Sequence, residues 1–130
     1  MSTRAYIGVR YGYEKIEYVS CHRDGNPEIM GRTLLDHYNS FEKAKELVSH
    51  GNMSDLGETI DECKFHKYVT FLKNCYNEWD DIKPRIQYCY KLENIQHDIE
   101  FVYIYNQVFE RWEFQDTSCN DLRKYLKASK

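Results

Sequence analysis

The segment 24–28, Asp-Gly-Asn-Pro-Glu, constrains the fold more than any other feature, because it ends one element and begins another. Asp-Gly is typical of tight turns, so a strand that precedes it stops there. Asn26 is a preferred helix-capping residue, Pro27 suits the first helical position, and Glu28 complements the positive end of a helix. The sequence therefore predicts a strand, a turn and a helix in that order.

Apolar and polar residues alternate before this turn with the two-residue period of a β-strand. Ile7 and Val9 share one face of the segment 5–10, and the segment 15–21 carries apolar residues on both faces. Tyr11-Gly12-Tyr13 suits the turn between them, so we predict a β-hairpin. The apolar residues of the second strand are Val19 and Cys21 on one face and Ile16 and Tyr18 on the other.

Two helices are predicted to follow, because apolar residues recur at helical spacing from Pro27 to Asn39 and again after Ser40. Ser40 is a capping residue for the second helix, and Gly51 is suited to end it. The segment 53–57 that comes next is predicted to be a turn or a short loop.

The middle of the chain, residues 63–97, carries weaker signals. Apolar residues between 65 and 79 fit one face of a helix. The segment 85–94 is predicted to be either a strand or irregular, because its tyrosines alternate with polar neighbours.

The last third of the chain predicts a second hairpin and a final helix. Segments 100–105 and 108–114 are rich in β-branched and aromatic residues and flank Asn106-Gln107. Ser118, with Asp121 three residues later, forms a capping box for the final helix.

These elements together predict one α+β domain over residues 1–130. Strands near both ends favour an antiparallel sheet made from the N-terminal and C-terminal hairpins, with helices between them and a C-terminal helix. A chain of 130 residues is long enough to build a core without metals or disulfides.

Composition excludes several classes of function. The net charge of −3 provides no basic field, so we expect no direct nucleic-acid binding. No apolar run approaches the roughly 20 residues of a membrane span, so no membrane contact is expected. The start Met1-Ser2-Thr3-Arg4 has no signal-peptide core behind it, which favours the cytoplasm. The five cysteines are an odd set, and we expect free thiols.

The first sixty or so residues resemble small proteins encoded by bacteriophages and prophages. The residues that carry the resemblance are the start Met1-Ser2-Thr3-Arg4 with Ile7-Gly8, then Tyr18-x-x-Cys21-His22-x-Asp24-Gly25-x-Pro27-Glu28, then Gly31-x-Thr33-Leu34-Leu35-x-His37-Tyr38, and Asp55-Leu56-Gly57. The resemblance implies a life in the cytoplasm of an infected bacterium. It carries no settled enzymatic role, and small accessory phage proteins often act by binding host proteins, including antiviral factors.

Two chemical interpretations of the cysteines and histidines are weak, and we predict neither catalytic residues, nor a metal site, nor a cofactor. Cys21, His22 and Asp24 could serve as nucleophile, base and orienting acid, but neighbours on a strand point to opposite faces. Cys63 and His66 have a spacing that suits zinc on a helix, but no Cys-x-x-Cys pair accompanies them.

His22, Arg23, Asp24 and Arg32 could form a polar pocket at the start of the first helix, where backbone amides attract anions. This pocket would bind a nucleotide or another small anion. The alternative is a structural turn, because the segment matches no phosphate-binding loop and Pro27 lacks an amide donor.

An aromatic binding face is the second candidate site, because Tyr and Trp often anchor protein interfaces. Its alternative is that these residues only cover the core. The predicted face consists of Tyr11, Tyr13, Tyr103, Tyr105, Trp112 and Phe114.

We therefore expect an accessory phage protein that binds and inhibits a host bacterial protein, an antiviral factor such as a CRISPR effector. A small-molecule or nucleotide-binding protein of the sponge type is the alternative. A small enzyme that uses the Cys-His-Asp turn is the third interpretation.

Overall fold

The computed structural model describes residues 3–65, 83–89, 92, 95, 98–114, 122 and 126. Seven strands form one sheet in this part of the chain. They are β1 (Arg4–Tyr11), β2 (Lys15–Cys21), β3 (Met53–Asp55), β4 (Lys64–Phe65), β5 (Arg85–Gln87), β6 (Ile99–Asn106) and β7 (Arg111–Phe114). The chain is a single α+β domain, as the sequence predicts.

The order of the strands is β4-β3-β2-β1-β6-β7, and β5 also pairs with β2. Both predicted hairpins are present, because β1 pairs with β2 and β6 with β7 in antiparallel fashion. The sheet as a whole is mixed rather than antiparallel, however, because β1 and β6 are parallel, and this corrects the expected strand directions. The chain returns from β2 to the far side of β1 through a long connection, which lets β6 run in the same direction as β1.

The helical segment starts where the sequence predicts. A wider π-helical turn, Pro27–Gly31, leads into helix α1 (Arg32–His37). The side-chain oxygen of Asn26 accepts a hydrogen bond of 3.0 Å from the amide of Ile29, which caps the segment.

Helix α2 (Phe41–Ser49) also has the predicted boundaries. The Ser40 hydroxyl oxygen accepts a hydrogen bond of 3.2 Å from the Lys43 amide. At the other end, Gly51 adopts a φ of 88° and its amide donates to the Val48 carbonyl. A residue with a side chain would be strained in this conformation, which explains the glycine.

The sheet is buried on both faces at its centre, because β1 is the middle strand and its residues from Ala5 to Arg10 are all buried. The predicted alternation is confirmed. The face toward the helices buries Ile7, Val9, Val19, Cys21, Leu34, Leu47, Leu122 and Leu126. The opposite face buries Tyr6, Ile16, Tyr18, Leu92, Val102 and Ile104.

Two local predictions need correction. The segment 53–57 is predicted to be a turn or a short loop, but residues 53–55 form β3, and the amides of His22 and Arg23 donate to the carbonyls of Met53 and Ser54. The second hairpin turns at residues 107–110, later than expected, because Asn106 completes β6.

Other predicted elements lie largely outside the described residues. Of the helix proposed between 65 and 79, only Phe65 is described, and it belongs to β4. Of the last helix, Leu122 and Leu126 are described, and both are helical and buried.

The hydroxyl of Tyr103 in β6 donates a buried hydrogen bond of 2.6 Å to the Gly25 carbonyl, which joins the turn at 24–28 to the sheet. We predict that Tyr103→Phe lowers the free energy of unfolding by about 1–3 kcal/mol, because it leaves a buried carbonyl without its donor. Tyr13→Phe removes an exposed hydroxyl and should change stability little. Denaturant unfolding of both variants measures this difference, and equal midpoints would contradict the assigned role of Tyr103.

Candidate functional site

The turn at the helix start has mainly a structural role. The Gly25 amide donates to the Thr3 carbonyl at 3.0 Å, and a side chain at position 25 would stand 2.8 Å from that same oxygen. Asp24 adopts a left-handed φ of 57° to make this close approach. Three backbone donors near the helix start, the amides of Gly25, Ile29 and Met30, are therefore already paired.

The four residues of the predicted pocket have different environments. Arg23 and Asp24 are exposed, whereas His22 and Arg32 are partly buried. The Arg23 guanidinium lies 3.9 Å from the Asp55 carboxylate, at the end of the pairing between β2 and β3. Two clefts in the described residues, one beside His37 and one beside Tyr18, are lined by other side chains.

Cys21 is fully buried and is poorly suited to be a nucleophile. Its sulfur lies 3.6 Å from the Arg23 carbonyl and 3.9 Å from the Ser54 carbonyl. Burial raises the pKa of the Cys21 thiol to about 12. Since the thiolate is the reactive form, this cysteine behaves as a core residue.

Cys63 organises the loop between β3 and β4. Its sulfur accepts a hydrogen bond of 3.2 Å from the Gly57 amide and lies 3.4 Å from the Tyr38 hydroxyl. That hydroxyl donates to the Gly57 carbonyl at 2.7 Å. Burial, followed by the contact with Cys63, raises the pKa of Tyr38. His66, the other residue of the zinc hypothesis, lies outside the described residues, and the described ones contain no group of three ligands arranged for a metal.

A cleft of about 340 Å³ opens beside this loop, between the end of α1, the first turns of α2 and residues 58–60. At its edge, His37 Nε2 lies 3.1 Å from the Glu58 carboxylate. The other lining residues are Asp36, Tyr38, Lys43, Glu46, Thr59 and Ile60. Its walls therefore carry both signs of charge.

Four members of the predicted aromatic face lie in the core. Tyr103, Tyr105, Trp112 and Phe114 are each at most 3% exposed. The rings of Tyr103 and Phe114 stack with centroids 5.3 Å apart, and Trp112 Nε1 donates to the Tyr38 carbonyl at 3.0 Å. The expectation that these four side chains face a partner is therefore corrected, because every second residue of β6 and β7 points toward the helices.

The remaining two members, Tyr11 and Tyr13, lie at the turn of the first hairpin. Tyr11 is partly buried against the ring of Phe41, and its hydroxyl donates to Glu17 at 3.1 Å. Burial and then the Glu17 charge raise the pKa of Tyr11 to about 12. Tyr13 is 62% exposed.

The two hairpin turns lie together at one edge of the sheet, because β1 and β6 are parallel and pair as far as Arg10 and Asn106. Gln107 joins the turns through two hydrogen bonds of 3.2 Å. Its amide donates to the Arg10 carbonyl, and its side-chain oxygen accepts from the Gly12 amide.

This edge displays three large apolar residues, Tyr13 at 62%, Val108 at 40% and Phe109 at 59% exposure. We call these three residues the hairpin-tip surface. Tyr13 belongs to the predicted aromatic face, whereas Val108 and Phe109 do not, because the sequence pattern predicts a strand over 108–114. The signal was present, since two large apolar residues directly follow the Asn-Gln pair where a turn was expected.

Comparison with known proteins finds no matching family model, no matching curated protein and no matching solved structure. Within the described ranges, no helix has both the length and the apolar character needed to cross a membrane.

We predict that Cys21 reacts with iodoacetamide more slowly than the partly exposed Cys89, by roughly tenfold or more, in the folded protein at mildly alkaline pH. The raised pKa keeps the Cys21 thiol protonated there, and the core shields it. Peptide mass spectrometry measures both rates, and the difference should disappear in denaturant. Rapid labelling of Cys21 in folded protein would restore the catalytic interpretation.

Proposed function

We propose that this chain acts by binding another protein through the hairpin-tip surface. The observation that carries the proposal is the exposure of Tyr13, Val108 and Phe109 at one edge of the sheet. Aromatic side chains on a fixed backbone are effective anchors, because they bury a large area and lose little rotamer entropy.

The backbone of this surface is held before any partner arrives. Gln107 connects the two turns, so the partner does not have to order them, and less of the binding energy is lost. The exposed residues also differ from the core aromatics in how much of their surface the fold covers. Tyr13 and Phe109 are each more than half exposed, so their rings contribute little burial to the fold.

The proposed partner is a host bacterial antiviral factor, such as a CRISPR effector, which the chain would inhibit. Support for this choice comes from the similarity of the first sixty or so residues to small proteins of bacteriophages and prophages. The state of Cys21 favours inhibition by binding over inhibition by a reaction, because a buried thiol with a pKa of about 12 is a poor nucleophile.

We predict that Tyr13→Ala and Phe109→Ala each weaken partner binding by roughly 2 kcal/mol or more, as for other interface anchors. Ile29→Ala is the control, because Ile29 is 49% exposed and lies in the helical turn Pro27–Gly31, which follows the end of β2 opposite to the first hairpin turn. The assay measures how efficiently a phage forms plaques on a host that expresses each variant and whose CRISPR defence targets that phage. A variant that inhibits the defence protects the phage, and plaque formation measures this protection.

Circular dichroism should show that all three variants are folded. Loss of protection in the two tip variants, with protection retained by Ile29→Ala, supports the proposal. Full protection by both tip variants would contradict the proposed role of the hairpin-tip surface.

The cleft beside His37 favours small-molecule binding as a second candidate function. Its volume of about 340 Å³ is in the range of ligand sites, and polar groups of both charge signs line it. A zwitterionic or charged small molecule would suit these walls better than an apolar one.

We predict for this second function that protein purified from a bacterial lysate releases a small molecule on denaturation, and that His37→Ala with Lys43→Ala abolishes the release. Mass spectrometry of the filtrate measures it, and Ile29→Ala, which does not line the cleft, again serves as the control. A filtrate with no small molecule from the unmodified protein argues against this function.

A further inference from the structure

We infer that Asn106 is a positioning residue for the hairpin-tip surface, which it prepares by holding Phe109 in its displayed position. This inference rests on the proposed function, since it concerns how the same surface is made ready for a partner. Asn106 itself is only 6% exposed and does not belong to the surface.

Asn106 fixes the backbone of the second hairpin turn. The Asn106 side-chain oxygen accepts hydrogen bonds from the amides of Val108 at 2.9 Å and Phe109 at 3.1 Å. Two of the three displayed residues therefore have their amides tied to one buried atom. The turn then ends at Glu110, which adopts a left-handed φ of 52° that a side chain ordinarily disfavours. Such a conformation persists when surrounding bonds hold it.

Asn106 is also connected to the ring of Phe109. Asn106 Nδ2 donates to Glu113 at 3.1 Å, and the Glu113 side chain is only 14% exposed. Glu113 in turn accepts from Arg111 through Nε at 3.2 Å and Nη2 at 3.1 Å. The Arg111 guanidinium lies over the Phe109 ring, 5.2 Å from its centroid. A continuous series of contacts thus runs from the Asn106 amide group to the displayed ring.

The amide of asparagine supplies both halves of this arrangement, because it accepts and donates at the same time. An aspartate at position 106 would keep the two backbone contacts but could not donate to Glu113, and the two carboxylates would repel each other. An alanine would remove all three hydrogen bonds. Loss of this preparation weakens binding, because the partner must then order the turn and the ring.

Hydrogen exchange tests the backbone part without any partner. Asn106→Ala should speed exchange of the Val108 and Phe109 amides by about tenfold, whereas Asn106→Asp should leave them close to the unmodified protein. Amides in β1 report on global stability and should change less than those of the turn. Unchanged exchange at Val108 and Phe109 in Asn106→Ala would overturn the inference.

The plating assay described above tests whether this positioning role matters for activity. Asn106→Ala and Asn106→Asp should both reduce protection, although each retains the whole hairpin-tip surface. The double variant Asn106→Asp with Glu113→Gln exchanges donor and acceptor. The introduced glutamine can donate through its amide nitrogen to the introduced aspartate, while its oxygen still accepts from Arg111. This variant should regain most of the protection, which a general loss of stability would not explain.

The outcomes separate this inference from the proposed function. Full protection by Phe109→Ala removes the proposed function, and the positioning role falls with it. Loss with Phe109→Ala but full protection by Asn106→Ala overturns only the inference. Failure of the double variant to recover, when its folding and Val108 exchange are normal, overturns the link through Glu113. Ile29→Ala remains the control for an exposed apolar residue away from the turns.

Discussion

The parallel pairing of β1 with β6 is the constraint on which the rest of the structure depends. It makes β1 the middle strand, which buries both faces of the sheet at its centre. It also brings the ends of both strands to the same edge, so that two hairpin turns far apart in sequence are joined by Gln107. An antiparallel arrangement of the same two strands would place these turns at opposite edges of the sheet.

Burial decides which aromatic residues are available to a partner. β6 and β7 direct Tyr103, Tyr105, Trp112 and Phe114 toward the helices, where they pack on one another and on α1 and α2. The turns have no such partner layer in the described residues, and they leave Tyr13, Val108 and Phe109 exposed. The same residue types therefore stabilise the core in the strands and form a candidate interface at the turns.

Polar and reactive groups near the helix start mainly serve the fold. Tyr103 holds the Gly25 carbonyl, the Gly25 amide reaches Thr3, and Asn26 caps the helical segment. Cys21, at the end of β2, is fully buried, and burial raises the pKa of its thiol, which therefore stays protonated. Cys21 and Asp24, which suggest a catalytic or anion-binding cluster in the sequence, therefore have separate structural roles. Cys21 lies on a buried face of β2, and Asp24 lies in a structural turn.

Local structure in this protein follows from the amino-acid sequence alone. The β alternation around Ile7 and Val19, the caps at Asn26 and Ser40 and the glycine at position 51 depend on neighbours within a few residues, and each was predictable. The mixed sheet, strand β3 and the exposure of Phe109 were not, because strand direction and pairing depend on contacts between residues far apart in the chain. The aromatic residues of β6 and β7 could also be interpreted as an exposed binding face. Alternation shows that a strand has two faces, but it does not show whether other elements cover each of them. The folded chain settles this question, because burial is set by what packs against each face.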